Sequence, residues 1–269
     1  MLGCIRWALP WNCVGLLRRW CRTFAKRGPA TLRRKLAQFQ DWRMDNPIET
    51  ENRKRLLAEL AGRLVLASPD RTLRVAIDGI DGAGKTTFAD ELSAVVAALG
   101  RPVIRASVDG FHNCRAVRYR QGRHSPAGFF QDSYNYTALK KYLLDPLSPG
   151  GSHRYRRACF DHVTDRAVSV VKADAPPFSI LLLDGIFLHR SELLAYWDVS
   201  IFLRTDFAVS VARCAARDGS SADPAAPSNR RYVEGQRLYL QSCQPEARAT
   251  IVIDYNDLRS PTIVKPSRL

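Results

Sequence analysis

No two cysteines in this chain are spaced Cys-x-x-Cys, although seven of them (Cys4, Cys13, Cys21, Cys114, Cys159, Cys214 and Cys243) are scattered along it. That excludes a zinc ribbon or finger and a dithiol redox pair, and it offers no disulfide framework of the secreted kind; a reducing cytoplasmic setting is the simplest reading. The five histidines, His112, His124, His153, His162 and His189, are equally isolated, with no His-Glu-x-x-His or similar ligand spacing, so each is expected to be a surface or hydrogen-bonded residue. No apolar stretch approaches the roughly 20 residues that a membrane span requires. No internal repeat is visible, and no Asn-Lys-x-Asp segment is present to read guanine, which argues against a signalling GTPase. Acidic residues are nearly missing from positions 1–43, where ten Lys and Arg face Asp41 alone.

The whole chain of 269 residues carries a formal charge of +15, but outside that leader 31 basic residues stand against 25 acidic ones, an excess of only +6. So mild an excess suits an enzyme handling phosphate-rich substrates and does not require a nucleic-acid footprint. The leader contains Trp7, Trp11 and Trp20, and its apolar stretch from Trp7 to Leu17 is interrupted by Pro10 and Asn12. Three readings stay open for it: a basic tail, a targeting segment, or sequence upstream of a start at Met44. The expected organisation is therefore a basic leader over 1–43 and one domain over 44–269.

In the body, Asn46-Pro47 followed by Glu49 supplies a cap, a first-turn proline and an acid, and Leu56, Leu57, Leu60 and Leu64 then recur at helical spacing. Leu73–Asp78 reads as a buried strand, Lys85–Leu99 as a helix stopped by Gly100, and Pro102–Val108 as the next strand. Continuous apolar runs at Phe178–Asp184, Val199–Leu203 and Thr250–Asp254 are expected to be strands covered on both faces. Their alternation with helical patterns implies a parallel sheet between two helical layers, because parallel neighbours need crossover connections. Two stretches break the pattern. The stretch 113–172 should hold a helix near Tyr134–Leu144 and a hairpin-like region around Tyr155–Val171; the stretch 218–229, rich in Ser, Ala, Pro and Asp, resembles a mobile loop. Inserts of this length commonly cover substrates.

Gly79-Ile80-Asp81-Gly82-Ala83-Gly84-Lys85-Thr86 matches Gly-x4-Gly-Lys-[Ser/Thr] and lies between a strand and a helix, as its mechanism demands. Successive N–H groups of such a turn, with the positive helix end, wrap phosphates; Lys85 would neutralise the terminal ones and Thr86 would ligate Mg²⁺, with Thr87 completing the turn. Asp184 ends an apolar strand at the sheet's carboxyl edge, where it could hold Mg²⁺ or its water. Asp109 has the same placement after the second strand, which suits a general base for an attacking hydroxyl. Arg213 and Arg217 lie four apart on the helical stretch Phe207–Arg217 and lead into the Ser/Pro loop, the geometry of a lid that stabilises a transferring phosphoryl group; Arg230 or Arg231 could join from the far side. Phe111, His112, Arg115, Tyr119, Phe160 and Arg166 are candidate residues for the acceptor pocket.

With VAIDGIDGAGKTT, the SVDGFH segment, LLLDGIFL and the Ala-Arg-Asp of 216–218, the chain resembles the uridine kinase and phosphoribulokinase family from about Leu73 to Leu258. The resemblance implies a P-loop NTPase-type three-layer α/β sandwich with a five-stranded parallel sheet, an inserted substrate-covering region and an Arg-bearing lid. It also implies that Lys85, Asp109 and Arg217 are catalytic, that Thr86 and Asp184 hold Mg²⁺, and that ATP is the phosphoryl donor. The family's Glu-Gly is Asp184-Gly185 here, which keeps the charge. The family's aromatic-Asp segment reads Cys159-Phe160-Asp161-His162-Val163-Thr164-Asp165-Arg166, with Phe160 lacking a tyrosine hydroxyl.

The expected function is ATP-dependent phosphoryl transfer to a hydroxyl of a small molecule, with a nucleoside such as uridine or cytidine as the first acceptor. Pantothenate, glycerate or a sugar phosphate is the alternative within enzymes. A nucleic-acid or membrane-surface binder working through the leader is the alternative of a different class, and assembly into a homo-oligomer is left open.

Overall fold

The computed structural model describes residues 50–265. The leader readings and the Asn46-Pro47 cap lie outside them. Helix α1 (Glu51–Leu66) is capped by Thr50, whose extended backbone lets its hydroxyl accept from the Arg53 N–H at 3.3 Å. Leu56, Leu57, Leu60 and Leu64 form its buried stripe, as the spacing predicts.

Strand β1 (Leu73–Gly79) is buried at every residue. Helix α2 (Lys85–Ala98) follows, and Arg53 of α1 and Glu91 of α2 pair at 2.7 Å, both nearly fully buried. Strand β2 (Val103–Ser107) ends sooner than its apolar run, because Val108–Phe111 tightens into a 3₁₀ turn that carries Asp109. Helix α3 (Pro126–Asp132), strand β3 (Ile180–Gly185), strand β4 (Val199–Arg204), helix α4 (Phe207–Asp218), helix α5 (Arg230–Cys243) and strands β5 (Ile251–Asp254) and β6 (Thr262–Lys265) complete the larger elements. Strand β3 begins two residues later than expected, since Phe178 turns with φ +59°.

The sheet order is β6-β5-β4-β1-β3-β2, with five parallel strands and β6 antiparallel to β5. The expected five parallel strands are therefore present, and a sixth was missed. Its side chains are half-buried or exposed, so it lacks the apolar run of its neighbours, and a connection of only seven residues permits an antiparallel return but no crossover. Strand order reverses about β1, whose neighbours are β3 and β4; ligands collect at such a switch point.

The stretch 113–172 holds the expected helix and hairpin-like region, with α3 before them. Tyr136–Leu139 is a single α turn that widens into a π turn over Lys140–Leu144. Beyond it, the ribbon Phe160–Asp161 with Arg166–Ala167 nests inside a second, Arg154–Tyr155 with Ala173–Asp174. The insert is fixed to one sheet face by a core that joins Phe111, Phe129, Tyr134, Leu143, Phe187 and Tyr239. Arg101, 1% exposed, pins the turn after α1 by donating to the carbonyls of Leu64, Val65, Ala67, Ser68, Arg71 and Phe178. Burial lowers its guanidinium pKa to about 10. No described helix is long and apolar enough to cross a membrane.

Candidate active site

The turn after β1 is shaped by close approach. At Gly82, φ is +71°, and a Cβ there would overlap the Ser210 carbonyl oxygen and stand 2.8 Å from Cys214 Sγ, so α4 can pack directly on the loop only because residue 82 has no side chain. Gly84 is left-handed at φ +93° and opens α2, which aims the first amides of that helix at the turn. Lys85, itself buried, folds back so that Nζ donates to the Ile80 carbonyl at 2.8 Å. Thr86 Oγ1 donates to Asp184 Oδ2 at 2.7 Å. The two groups come from β3 and the start of α2, and parallel pairing of β1 with β3 aligns Asp184 with Ile77.

A cavity of about 300 Å³ opens over these groups, and Asp81, Lys85, Thr86, Asp109, Asp184 and Arg217 all line it. Residues from four segments distant in sequence thus converge on one space. Asp109 Oδ1 accepts from the Tyr134 hydroxyl at 3.0 Å, and burial, reinforced by Asp109, raises the Tyr134 pKa well above its usual value, so this phenol stays a donor. Burial also raises the Asp81 pKa, against the opposing pull of Lys85. The Arg217 guanidinium is exposed and pairs with Asp218 at 3.1 Å, which raises its pKa and keeps it charged.

Several expected residues lie elsewhere. Phe111 is fully buried in the core and cannot contact an acceptor. Arg213 turns away from the cavity and donates to the carbonyls of Tyr255, Asn256 and Ala83, clamping the loop after β5 against the phosphate turn. Arg231 is buried and holds the carbonyls of Arg118, Arg123 and Ser125, so it braces the insert rather than reaching over the cavity. Arg115 is exposed and bonds Asp165 through its N–H and the Val163 carbonyl through its side chain, while Tyr119 lies under the guanidinium of Arg231. Phe160 and Arg166 sit in the inner ribbon, and neither lines the 300 Å³ cavity.

His112 does not line the 300 Å³ cavity either but lies beside Asp109: Nδ1 donates to the Asp109 carbonyl at 3.0 Å, and burial lowers the ring's pKa. Its ring stacks on His162, with centroids 4.4 Å apart and planes 26° apart. This contact was not foreseen, because no spacing rule connects residues 50 apart. Arg105 was missed as well; its Nη1 pairs with Asp184 Oδ1 at 2.8 Å across β2 and β3. So one carboxylate oxygen of Asp184 is held by Arg105 and the other by Thr86.

Among the described residues no cluster of three or more His, Cys, Asp or Glu could hold a metal. The Thr86 hydroxyl and Asp184 carboxylate are hard oxygen donors in contact, and they fit Mg²⁺, which takes one or two protein oxygens and fills its remaining positions with phosphate oxygens and water.

A mostly parallel sheet with a phosphate turn after its central strand, and a carboxylate on the next strand's carboxyl end, defines the class: a P-loop kinase fold, three-layered and α/β. More narrowly, the model of the Phosphoribulokinase / Uridine kinase family matches residues 75–222, over half of the chain, and the chain belongs to that family, whose members are phosphotransferases with hydroxyl acceptors. Its fold is similar to that of a candidate uridine kinase from Bacillus stearothermophilus, at 21% identity and a TM-score of 0.58, over 73% of this chain and 96% of the other. It is also similar to a candidate fructose transport system kinase from Silicibacter sp. TM1040, at 25% identity and a TM-score of 0.56, over 70% of this chain and 93% of the other. No curated protein sequence matches the chain.

Proposed function

We propose that residues 44–269 act as one kinase domain that transfers the terminal phosphoryl group of ATP to a hydroxyl of a nucleoside. The observation that carries this reading is the convergence of Lys85, Thr86, Asp184 and Asp109 on one cavity at the sheet's switch point. In this reading the amides of residues 82–87 bind the phosphates, and Lys85 leaves the Ile80 carbonyl to neutralise the terminal ones. Asp109 takes the proton from the acceptor hydroxyl at its free oxygen while Tyr134 fixes the other. Arg217 swings in from the rim to meet the charge that spreads over the transferring group. Thr86 and Asp184 would hold Mg²⁺, which supplies charge neutralisation to the phosphates when bound.

A nucleoside is favoured because the stacked pair His112 and His162 offers a flat aromatic face beside Asp109, and because the ribbon holding Phe160 is pinned there by the Cys159 N–H on the Gly110 carbonyl at 2.9 Å. A free sugar is the second reading, favoured by the 25% identity to the candidate fructose transport system kinase. An ADP-release screen with Mg-ATP and a panel of nucleosides, free sugars, sugar phosphates, glycerate and pantothenate tests this. Turnover confined to nucleosides supports the first reading; turnover confined to phosphorylated or carboxylate acceptors overturns both.

A further inference from the structure

Asp78 stands in β1 just before Gly79, where the phosphate turn begins, and its carboxylate is fully buried on the strand face it shares with Ala76 and Arg74. Three donors satisfy it. The Gly79 N–H reaches Oδ1 at 2.7 Å, His189 Nδ1 reaches Oδ2 at 2.6 Å, and the Tyr239 hydroxyl donates to Oδ2 as well. A carboxylate only accepts, so the proton between it and His189 sits on Nδ1, while Nε2 is buried without a hydrogen-bond partner. The His189 N–H in turn donates to the Tyr239 hydroxyl at 3.0 Å.

One turn earlier on the same face of α5, the Gln236 carbonyl oxygen accepts the N–H of Asp81, and its amide nitrogen donates to the Tyr232 carbonyl at 3.1 Å, which fixes the amide's orientation. Helix α5 therefore grips the chain at Asp78, just before the phosphate turn, and at Asp81 within it. The same helix follows directly on the loop 219–229 that leaves Arg217. Apolar side chains at 78, 189 and 239 would fill this space without the desolvation cost of a buried acid and imidazole, so the network's use is in specifying one arrangement.

We propose that Gln236, Tyr239 and His189 form a polar strap through which α5 sets the phosphate turn, so that nucleotide binding and the placement of α5 are coupled. These are positioning residues, and the proposal rests on the nucleotide-binding reading of Gly79–Thr86. Coupling is reciprocal: a nucleotide that fixes the turn must also steady α5.

The test uses the full chain, Tyr239→Phe and Gln236→Ala, with Mg-ATP affinity from calorimetry, acceptor KM, and amide exchange over 230–243 with and without Mg-ATP. In the parent, Mg-ATP slows exchange in α5. Each variant weakens Mg-ATP about tenfold, as expected for losing one hydrogen bond that orders the turn, and abolishes that slowing while acceptor KM is unchanged. Gln236→Ala leaves the buried acid untouched and serves if Tyr239→Phe folds poorly. Variants that bind Mg-ATP within about twofold of the parent, or parent α5 exchange indifferent to Mg-ATP, overturn the strap while leaving the kinase reading intact. A folded parent that binds no Mg-ATP overturns the nucleotide site, and the strap falls with it.

Discussion

Replacing Asp109 with Asn isolates proton abstraction from every other role of the site. Asn has nearly the same shape, and its amide oxygen can still accept from the Tyr134 hydroxyl, which approaches Oδ1 at 3.0 Å in the parent. The Asp109 side chain is 57% exposed, so no buried charge is removed and the fold should not respond. A surface change of this kind is worth within about 0.5 kcal/mol, and Tm should stay within about 2 °C. Asp109 is also not one of the groups wrapped around the phosphates, so KM for ATP should hold within about twofold. What is lost is the base, which contributes roughly 10²- to 10⁴-fold, and that corresponds to about 3–5 kcal/mol of barrier. The assay is coupled ADP release at saturating Mg-ATP, with the acceptor that supports the fastest turnover, beside thermal unfolding of the same samples. A kcat within about fivefold of the parent would refute the assignment of Asp109 as base.

Lys85→Met should lower kcat/KM by roughly 10²- to 10³-fold with the fold intact, since the ammonium acts on phosphate charge; steady-state kinetics and thermal melting separate the two effects. Gly82→Ala should cost about 1–3 kcal/mol and abolish Mg-ATP binding, because a left-handed alanine would press on the Ser210 carbonyl; calorimetry showing parent-like binding would contradict this. Arg101→Met should destabilise by at least about 3 kcal/mol, lowering Tm by roughly 10 °C, because six carbonyls lose their donor; a Tm unchanged in a melting scan would count against it. The Asp81 carboxyl has a raised pKa in the fold, so its contribution to stability is fully present below its ordinary value of 3.8 and lost as pH rises through the folded value. Asp81→Asn should accordingly raise Tm at neutral pH and give no advantage below pH 3.8, which a pH series of melts checks.

The phosphate turn, its flanking strand and helix, the carboxylates Asp109 and Asp184, and the alternation of buried strands with helices were all legible in the order of residues. Each depends on neighbours within a few positions: glycines that allow a tight turn, apolar runs long enough for covered strands, an acid where a strand stops. Interactions between distant segments were not legible. Whether Arg213 points at a phosphate or at the carbonyls of Tyr255 and Asn256 depends on how the loop after β5 returns, and spacing along α4 says nothing about that. Phe111 looked like a pocket aromatic and is a core residue because a 3₁₀ turn rotates it inward while leaving Asp109 outward. His189 read as an isolated histidine and Tyr239 was not singled out at all; folding sets both on Asp78, at sequence separations of 111 and 161. Local pattern thus chose the elements and marked the phosphate turn. Packing across the sheet chose which side chains face the cavity, because a side chain's direction is settled by what occupies the space opposite it.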